Sequence, residues 1–573
     1  MNVGQVDSPA AVRALPEDQL PALCAALRTQ IIEVCAQVGG HLGASLGAVE
    51  LIVALHRTFK SPVDRIVFDV GHQAYAHKLL TGRGPRMRTL RQAGGIAPFL
   101  DPAESPHDAF GAGHACTAVS TGLGILAAKK LKNEPGQVVA VVGDGALTGG
   151  LTFEGLNNAG YGELPLKIVL NDNGMSISHN VGAVPRMLGE HSRAFFEALG
   201  FTWLGPTDGH DLQALLEATR KLSKSPRPAV LHVRTQKGRG FAPAEDDGRT
   251  RGHAMGPYEL RDGKLVRSRA GQPTFSDAFV AALERAMEKD PKVVAVTPAM
   301  LEGSSLVALK ARFPDRVFDV GIAEQHAVAF CAGLAHAGAK PVCIIYSTFL
   351  QRAYDQVVHD VALPRLPVVF AIDRAGVVGA DGSTHQGAYD IAFLRTLPNV
   401  AVTAPVWGED LDGLLDAGLS AKGPFAIRFP RGTLPPNPAA PSSGVGARWL
   451  HRASSSALTF LTLGPLALPA LEAARADGRW SVVDVRSAAP LDEAVVLEAA
   501  AAGALVTVED GTVRGGLGGA VLELLAAHRT TCRVATLGLP GDRFLPHGEA
   551  RTQRAQLGLD SGGLAAAAKG LLK

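Results

Sequence analysis

Val141-Val142-Gly143-Asp144-Gly145 closes an apolar run that begins at Gly136, and Leu170-Asn171-Asp172-Asn173 closes a second, with Asn173 falling 28 residues after Gly145. In Gly136-Gln137-Val138-Val139-Ala140-Val141-Val142 and in Lys167-Ile168-Val169-Leu170 the apolar residues are consecutive rather than alternate. That pattern belongs to parallel strands buried on both faces. Each strand then hands its polar residues to its C-terminal end. Magnesium takes a near-octahedral shell of oxygens, part of it from phosphate, so one carboxylate, one side-chain amide and one main-chain carbonyl suffice from a protein. Asp144, Asn173 and the carbonyl of Met175 meet that need, and the flanking glycines let backbone approach a diphosphate with no Cβ in the way. The alternative is two ordinary turns, since Gly, Asp and Asn populate turns generally.

At 573 residues the chain is too long for one core and divides into about three domains of roughly 150 to 200 residues. A formal net charge of +2, with basic residues dispersed, argues against nucleic acid as a partner. The six cysteines, Cys24, Cys35, Cys116, Cys331, Cys343 and Cys532, show no metal or disulfide spacing and read as reduced thiols of a cytoplasmic protein. No uncharged apolar stretch of membrane length is expected, and no membrane partner.

From residue 20 to about 260, β-rich runs alternate with Ala/Leu-rich helical stretches, as in a parallel sheet covered by helices on both faces. Arg261 to Pro273 is polar and punctuated by Gly and Pro, which suits a linker. A second alternating block follows, with strand-like runs at Val293-Val296, Pro341-Tyr346 and Pro367-Asp373. Pro435 to Gly444 can continue neither a helix nor a central strand and reads as a second linker. The expected fold class is α/β: three domains of parallel or mixed sheet sandwiched by helices, at 1–272, 273–436 and 445–573.

Phe318-Asp319-Val320-Gly321-Ile322-Ala323-Glu324-Gln325-His326 joins a short strand to a helix that includes Ala327 to Ala335, and so sets Glu324 beside a helix N-terminus. One role for it is a first-turn glutamate favoured by the helix dipole. The other follows from a resemblance, since the Gly-Asp-Gly and Asn spacing is similar to the diphosphate motif of thiamine diphosphate enzymes. Those enzymes need a carboxyl group at the aminopyrimidine ring, and Glu324 is placed to be that group.

Further motifs sharpen this: Gly39-Gly40-His41-Leu42, Asp69 to Tyr75, Gly113-His114, Asn171 to Ser178, Tyr346 to Arg352, Asp373-Arg374-Ala375-Gly376, Gly379 to Gly387, and Pro430-Arg431-Gly432. In this order they resemble the 1-deoxy-D-xylulose-5-phosphate synthases, a branch of the transketolase-like thiamine diphosphate enzymes, over essentially the whole chain. Gly379 to Gly387 and Pro-Arg-Gly separate that branch from ordinary transketolases. The resemblance implies a homodimer that decarboxylates pyruvate and passes the two-carbon unit to D-glyceraldehyde 3-phosphate, using thiamine diphosphate and magnesium. It implies that His72, Gly113, His114, Ala115, Gly145, Ala146, Asn173 and Phe241 contact the cofactor, that Asp144, Asn173 and Met175 hold the metal, and that Glu324 activates the cofactor. Around the reacting carbon it places His41, His253, Asp381 and His385, and against the phosphorylated acceptor Tyr346, Arg352, Arg374 and Arg431. The chemistry agrees, because guanidinium forks suit a phosphate dianion and imidazoles exchange protons near neutral pH.

By contrast, isolated histidines such as His56, His77 and His359 read as structural, and Gly515-Gly516-Leu517-Gly518-Gly519 reads as close packing rather than a nucleotide loop. The chain departs from the family pattern at Ala44, where relatives carry serine, and at Gly174 and His179, where glutamates are common. The segment between Val184 and Trp203 is far shorter than in most relatives. Rival readings are transketolase-type ketol transfer, a catalytically weakened regulatory homologue, and the decarboxylating subunit of a dehydrogenase complex.

Overall fold

The computed structural model describes residues 4, 6–162, 164–261, 264–267, 271–436 and 444–573. It forms two compact units, Met1–Ala270 with Gly321–Ala323, and Gly271–Val320 with Glu324–Lys573. In the first, strands β1 (Arg65–Phe68), β2 (Val138–Gly143), β3 (Lys167–Asp172), β4 (Thr202–Asp208) and β5 (Ala229–Arg234) make a wholly parallel sheet in the order β1-β2-β3-β5-β4. Successive residues of the central strands enter opposite cores. Val139, Val141, Val169 and Leu231 pack into one, and Val138, Ala140, Val142, Ile168 and Val230 into the other. This two-sided burial is why the strands are apolar at every position.

The polar stretch after residue 260 is not simply a linker. β6 (Tyr258–Arg261) and β7 (Lys264–Arg267) pair antiparallel, Tyr258 opposite Arg267 and Arg261 opposite Lys264. The chain between them is Asp262-Gly263, a dipeptide that two-residue hairpins favour, so the Gly read as a linker sign is equally a hairpin sign. Asp262, Gly263 and Ser268–Ala270 lie outside the described residues, as do Asn437–Ser443 of the second expected linker.

The second unit contains β8 (Val293–Thr297), β9 (Val317–Asp319), β10 (Lys340–Tyr346), β11 (Val369–Asp373), β12 (Ala401–Thr403), β13 (Phe425–Arg428), β14 (Arg448–His451), β15 (Leu458–Leu463), β16 (Trp480–Asp484), β17 (Ser487–Ala489), β18 (Ala504–Thr512) and β19 (Arg533–Leu539). One sheet runs β17-β12-β13-β11-β10-β8-β9 and the other β14-β16-β15-β18-β19. Each is parallel except at one edge, where β17 and β14 pair antiparallel. The two sheets share a core in which Cys343, Ile345, Phe370 and Ile372 meet Leu461, Leu463, Val483 and Leu505. β17, from the C-terminal part of the chain, also completes the other sheet. A buried Glu509 carboxylate at the β18 end accepts from the main-chain N–H groups of Leu517 (2.8 Å) and Gly518 (2.9 Å). A Cβ on Gly516 would run into that carboxylate, so the glycine-rich stretch is there for packing. All six cysteines are free, five of them buried. Among the described residues no helix is long and apolar enough to cross a membrane.

Candidate active site

In the first unit Asp144 follows β2 and is buried, at 2% exposure. Its Oδ2 accepts from the main-chain N–H of Gly174 (2.7 Å) and from Asn180 Nδ2 (2.8 Å), so the loop after β3 closes onto it. Burial, and then the charge of Asp172, push its carboxyl above the usual range. Asn173 Oδ1 accepts from Met175 N at 3.0 Å, and Met175 bridges back to His179. Asp144, Asn173 and Met175 are therefore brought together, in a local turn that is also the alternative the sequence left open. Gly174 sits at φ +74°, a conformation that favours glycine. At Gly145 a Cβ would come within 2.9 Å of Ser176, so the turn and the loop approach as closely as two backbones can.

Two residues that hold this loop escaped the sequence reading, Asn180 within it and Lys237 outside it. Lys237, 1% exposed, donates to the carbonyls of Ser176 (2.7 Å) and Ile177 (3.2 Å), and burial lowers its pKa to about 7. It pins the loop that carries Asn173 and Met175 from 61 residues away along the chain. A lone Lys before Gly-Arg-Gly carries no local signal for that.

His41, His72 and His253 converge, with ring centroids 6.0 Å (His41 to His72), 5.8 Å (His41 to His253) and 5.3 Å (His72 to His253) apart. Main-chain pairing assembles them. Gly40 N donates to Met255 O (2.8 Å) and Met255 N to Gly40 O (2.9 Å), while Gly43 N reaches Gly252 O (2.9 Å) and Gly238 N reaches Gly43 O (2.8 Å). Gly43 is required there, because a Cβ would overlap the Arg251 carbonyl. Burial holds His72 and His253 well below the ordinary imidazole range, hence neutral. The Nδ1 atoms of both are buried without a partner among the described residues. Phe241, 7% exposed, lies 6.2 Å from the Tyr258 ring. Beside Ala44, Ser45 turns its hydroxyl to the His72 carbonyl (3.0 Å), so it does not stand in for the serine of relatives.

Gly113, His114 and Ala115 precede Cys116, whose N–H donates to Asp69 (2.7 Å) and whose Sγ lies 3.3 Å from the carbonyl of Ala146. That contact ties the Gly113 to Ala115 segment to the Asp144 turn.

In the second unit Glu324 is the first residue of helix Glu324–His336 and is 4% exposed. Burial raises its carboxyl and Arg352 opposes that through an ion pair at 3.3 Å. Tyr346 ends β10 and lies under the Arg374 guanidinium at 4.5 Å. Arg374 Nη1 donates to Asp373 (2.6 Å) and Ser276 (2.9 Å), and Nη2 to Gly303 O (2.5 Å). His385 packs edge-on to Phe349, which stacks on Tyr346, and its Nδ1 meets Thr384 Oγ1 at 2.9 Å. Asp381 pairs with Arg431 at 3.2 Å. Tyr346 and Arg374 thus share one cluster, with His385 joined to it through Phe349. Arg352 faces Glu324 instead.

These features, strand-end acids and neutral histidines in one α/β unit and a helix-start glutamate in the other, are those of a transketolase-like thiamine diphosphate protein. Residues 271–437 match the transketolase pyrimidine-binding domain, and residues 447–564 the transketolase C-terminal domain. Residues 3–194 and 189–235 match the 1-deoxy-D-xylulose-5-phosphate synthase model, in two pieces that meet inside the short segment. The chain belongs to the 1-deoxy-D-xylulose-5-phosphate synthase family. A protein of Myxococcus xanthus with that name is 66% identical over 575 residues, taking in 100% of this chain and 98% of that one. One from Anaeromyxobacter sp. (strain Fw109-5) is 49% identical over 624 residues, covering 99% and 98%. The Myxococcus protein shares the compact length, which is therefore a natural form. Among solved structures, a split-gene transketolase, described as an inactive beta4 tetramer, is 30% identical with a TM-score of 0.47 and covers 53% of this chain and 99% of its own. Transketolase from Leishmania mexicana is 18% identical with a TM-score of 0.46, covering 96% and 97%.

Proposed function

We propose that this protein is a thiamine diphosphate- and magnesium-dependent transferase that decarboxylates pyruvate and joins the two-carbon unit to D-glyceraldehyde 3-phosphate, making 1-deoxy-D-xylulose 5-phosphate for isoprenoid, thiamine and pyridoxal precursor synthesis. The observation that carries it is the 66% identity, end to end, to a synthase of that name. The residues present also fit the cofactor: a buried Asp144 carboxyl at a strand end, brought together with Asn173 and Met175, and His72 and His253 Nδ1 atoms that are buried without a partner among the described residues. Thiamine diphosphate, when bound, supplies the electron sink for decarboxylation.

Asp144, Asn173 and the Met175 carbonyl hold the magnesium, and His72, Gly113, His114, Ala115, Gly145, Ala146 and Phe241 line the cofactor. Glu324 receives the pyrimidine ring nitrogen. By the family resemblance, His41, His253, Asp381 and His385 hold and move protons around the reacting carbon, a task imidazoles perform near neutral pH. Tyr346, Arg374 and Arg431 hold the acceptor and its phosphate. The diphosphate-binding domain spans 1–272, the pyrimidine-binding domain 273–436 and the C-terminal domain 445–573. The protein works as a cytoplasmic homodimer, as its family resemblance implies.

A second reading, ketol transfer without decarboxylation, draws on the two transketolase domain matches. One assay decides between them: CO2 release and pentulose phosphate formation from pyruvate and glyceraldehyde 3-phosphate, with and without thiamine diphosphate. Cofactor-dependent release of CO2 supports the synthase; no CO2 from pyruvate, with ketol transfer to glyceraldehyde 3-phosphate once a ketose phosphate replaces pyruvate as donor, supports the transketolase.

A further inference from the structure

Arg352 belongs by resemblance with the acceptor-phosphate group, but its surroundings differ from those of its companions. Arg374 lies on Tyr346, and Arg431 reaches out at 48% exposure to Asp381. Arg352 instead lies in the single turn Gln351–Ala353, with its side chain 14% exposed, and Nη1 donates to Glu324 Oε2, whose side chain is 5% exposed. An ion pair this enclosed is poorly screened, and a guanidinium cannot lose its charge. Other charged groups on the segments near this helix are turned elsewhere. Lys340 pairs with Asp290, His359 with Asp360, and Asp355 accepts from Gln356. On the helix itself His326 is exposed against Phe330.

From this geometry we propose that Arg352 is a positioning residue for Glu324: it fixes the carboxyl group at the helix start rather than gripping the acceptor phosphate. The proposal rests on the reading of Glu324 as the group that receives the cofactor's pyrimidine ring. The direction of its effect follows from burial, which favours the neutral acid and is opposed by Arg352. Without the guanidinium the main opposition to burial is removed, so the carboxyl shifts further up and its proton balance with a ring nitrogen changes. Lysine, being charged, retains much of the effect.

The test compares Arg352→Met, Arg352→Lys and Glu324→Gln with the parent. The first readout needs no cofactor: the infrared carbonyl stretch of a protonated carboxyl group, assigned to Glu324 by its loss in Glu324→Gln. In Arg352→Met this band is expected to titrate at higher pH than in the parent, and Arg352→Lys to return it toward the parent position. The second readout is kinetic, and Arg352→Met is expected to lower kcat about tenfold or more while the KM for glyceraldehyde 3-phosphate moves less than about threefold. An unmoved carboxyl band with a tenfold rise in that KM, in the Met variant or in the Lys variant if Met fails to fold, overturns the proposal. Full activity of Glu324→Gln would instead sink the Glu324 reading and leave the infrared result standing.

Discussion

Removing the guanidinium of Arg374 perturbs two things at once, and the structure separates them. On the binding side, loss of a charge-assisted contact to a phosphate costs about 1.5 to 3 kcal/mol, or roughly ten- to a hundredfold in the KM for glyceraldehyde 3-phosphate. Pyruvate carries no phosphate, so its KM should stay near that of the parent. On the folding side, Arg374 pairs at 2.6 Å with Asp373, whose side chain is 0% exposed. Stripping one partner from a buried pair costs about 3 to 5 kcal/mol when nothing replaces it. Asp373 keeps donors from Ser276 Oγ (3.0 Å), Ser304 Oγ (3.1 Å) and its neighbour's main-chain N–H (2.7 Å), so the loss should fall toward the low end of that range. Arg431 supplies the control. It is 48% exposed, and its pair with Asp381 is worth about 0 to 1 kcal/mol to the fold. Arg431→Ala should thus raise the acceptor KM by a similar factor with little change in denaturant midpoint, whereas Arg374→Ala should change both. Steady-state kinetics with each substrate varied in turn, alongside urea unfolding, measures both KM values and the denaturant midpoint of each variant. Equal effects on both substrates in both variants would refute the acceptor-phosphate reasoning.

Glu324→Ala should abolish turnover while thiamine diphosphate and metal still bind, because the carboxyl addresses the pyrimidine rather than the diphosphate; unchanged activity would remove Glu324 from the mechanism. Asp144→Ala should raise the metal requirement and weaken cofactor binding by calorimetry, and an unaltered affinity would move the metal site elsewhere. Phe196, 1% exposed and stacked on Trp203 at 5.3 Å, anchors the short helical segment, so Phe196→Ala should cost about 3 to 5 kcal/mol in chemical unfolding. A loss below about 1 kcal/mol would show that the segment is not part of the core. A lid sequesters reaction centres from water, and with only helices Val184–Glu190 and Ser192–Ala198 here, pyruvate should leak to acetaldehyde or acetate more readily when acceptor is absent. Inserting a long segment between Val184 and Leu204 should slow that leak; identical rates would place closure in other loops.

Much of this protein is legible locally. Unbroken apolar runs such as Val138 to Val142 mark strands buried on both faces, and the glycine turn after them marks where the chain comes close to the loop at Ser176. Glu324 at a helix start follows from its own neighbours. Motif order along the chain suffices for the family, because each motif is a short local constraint. What spans the sequence is not legible in this way. That Lys237 pins the loop at Ser176, that Ser45 spends its hydroxyl on the His72 carbonyl, and that Arg352 faces Glu324 depend on which long side chains end up adjacent once the sheets have assembled. The same holds for β17 crossing to complete a sheet begun more than 100 residues earlier, and for one core shared by two sheets. Local propensity and periodicity determine which segments are strands and which ends are polar. Burial chooses the partners, because a charge or hydroxyl removed from water must find its counterpart wherever the packed chain provides one.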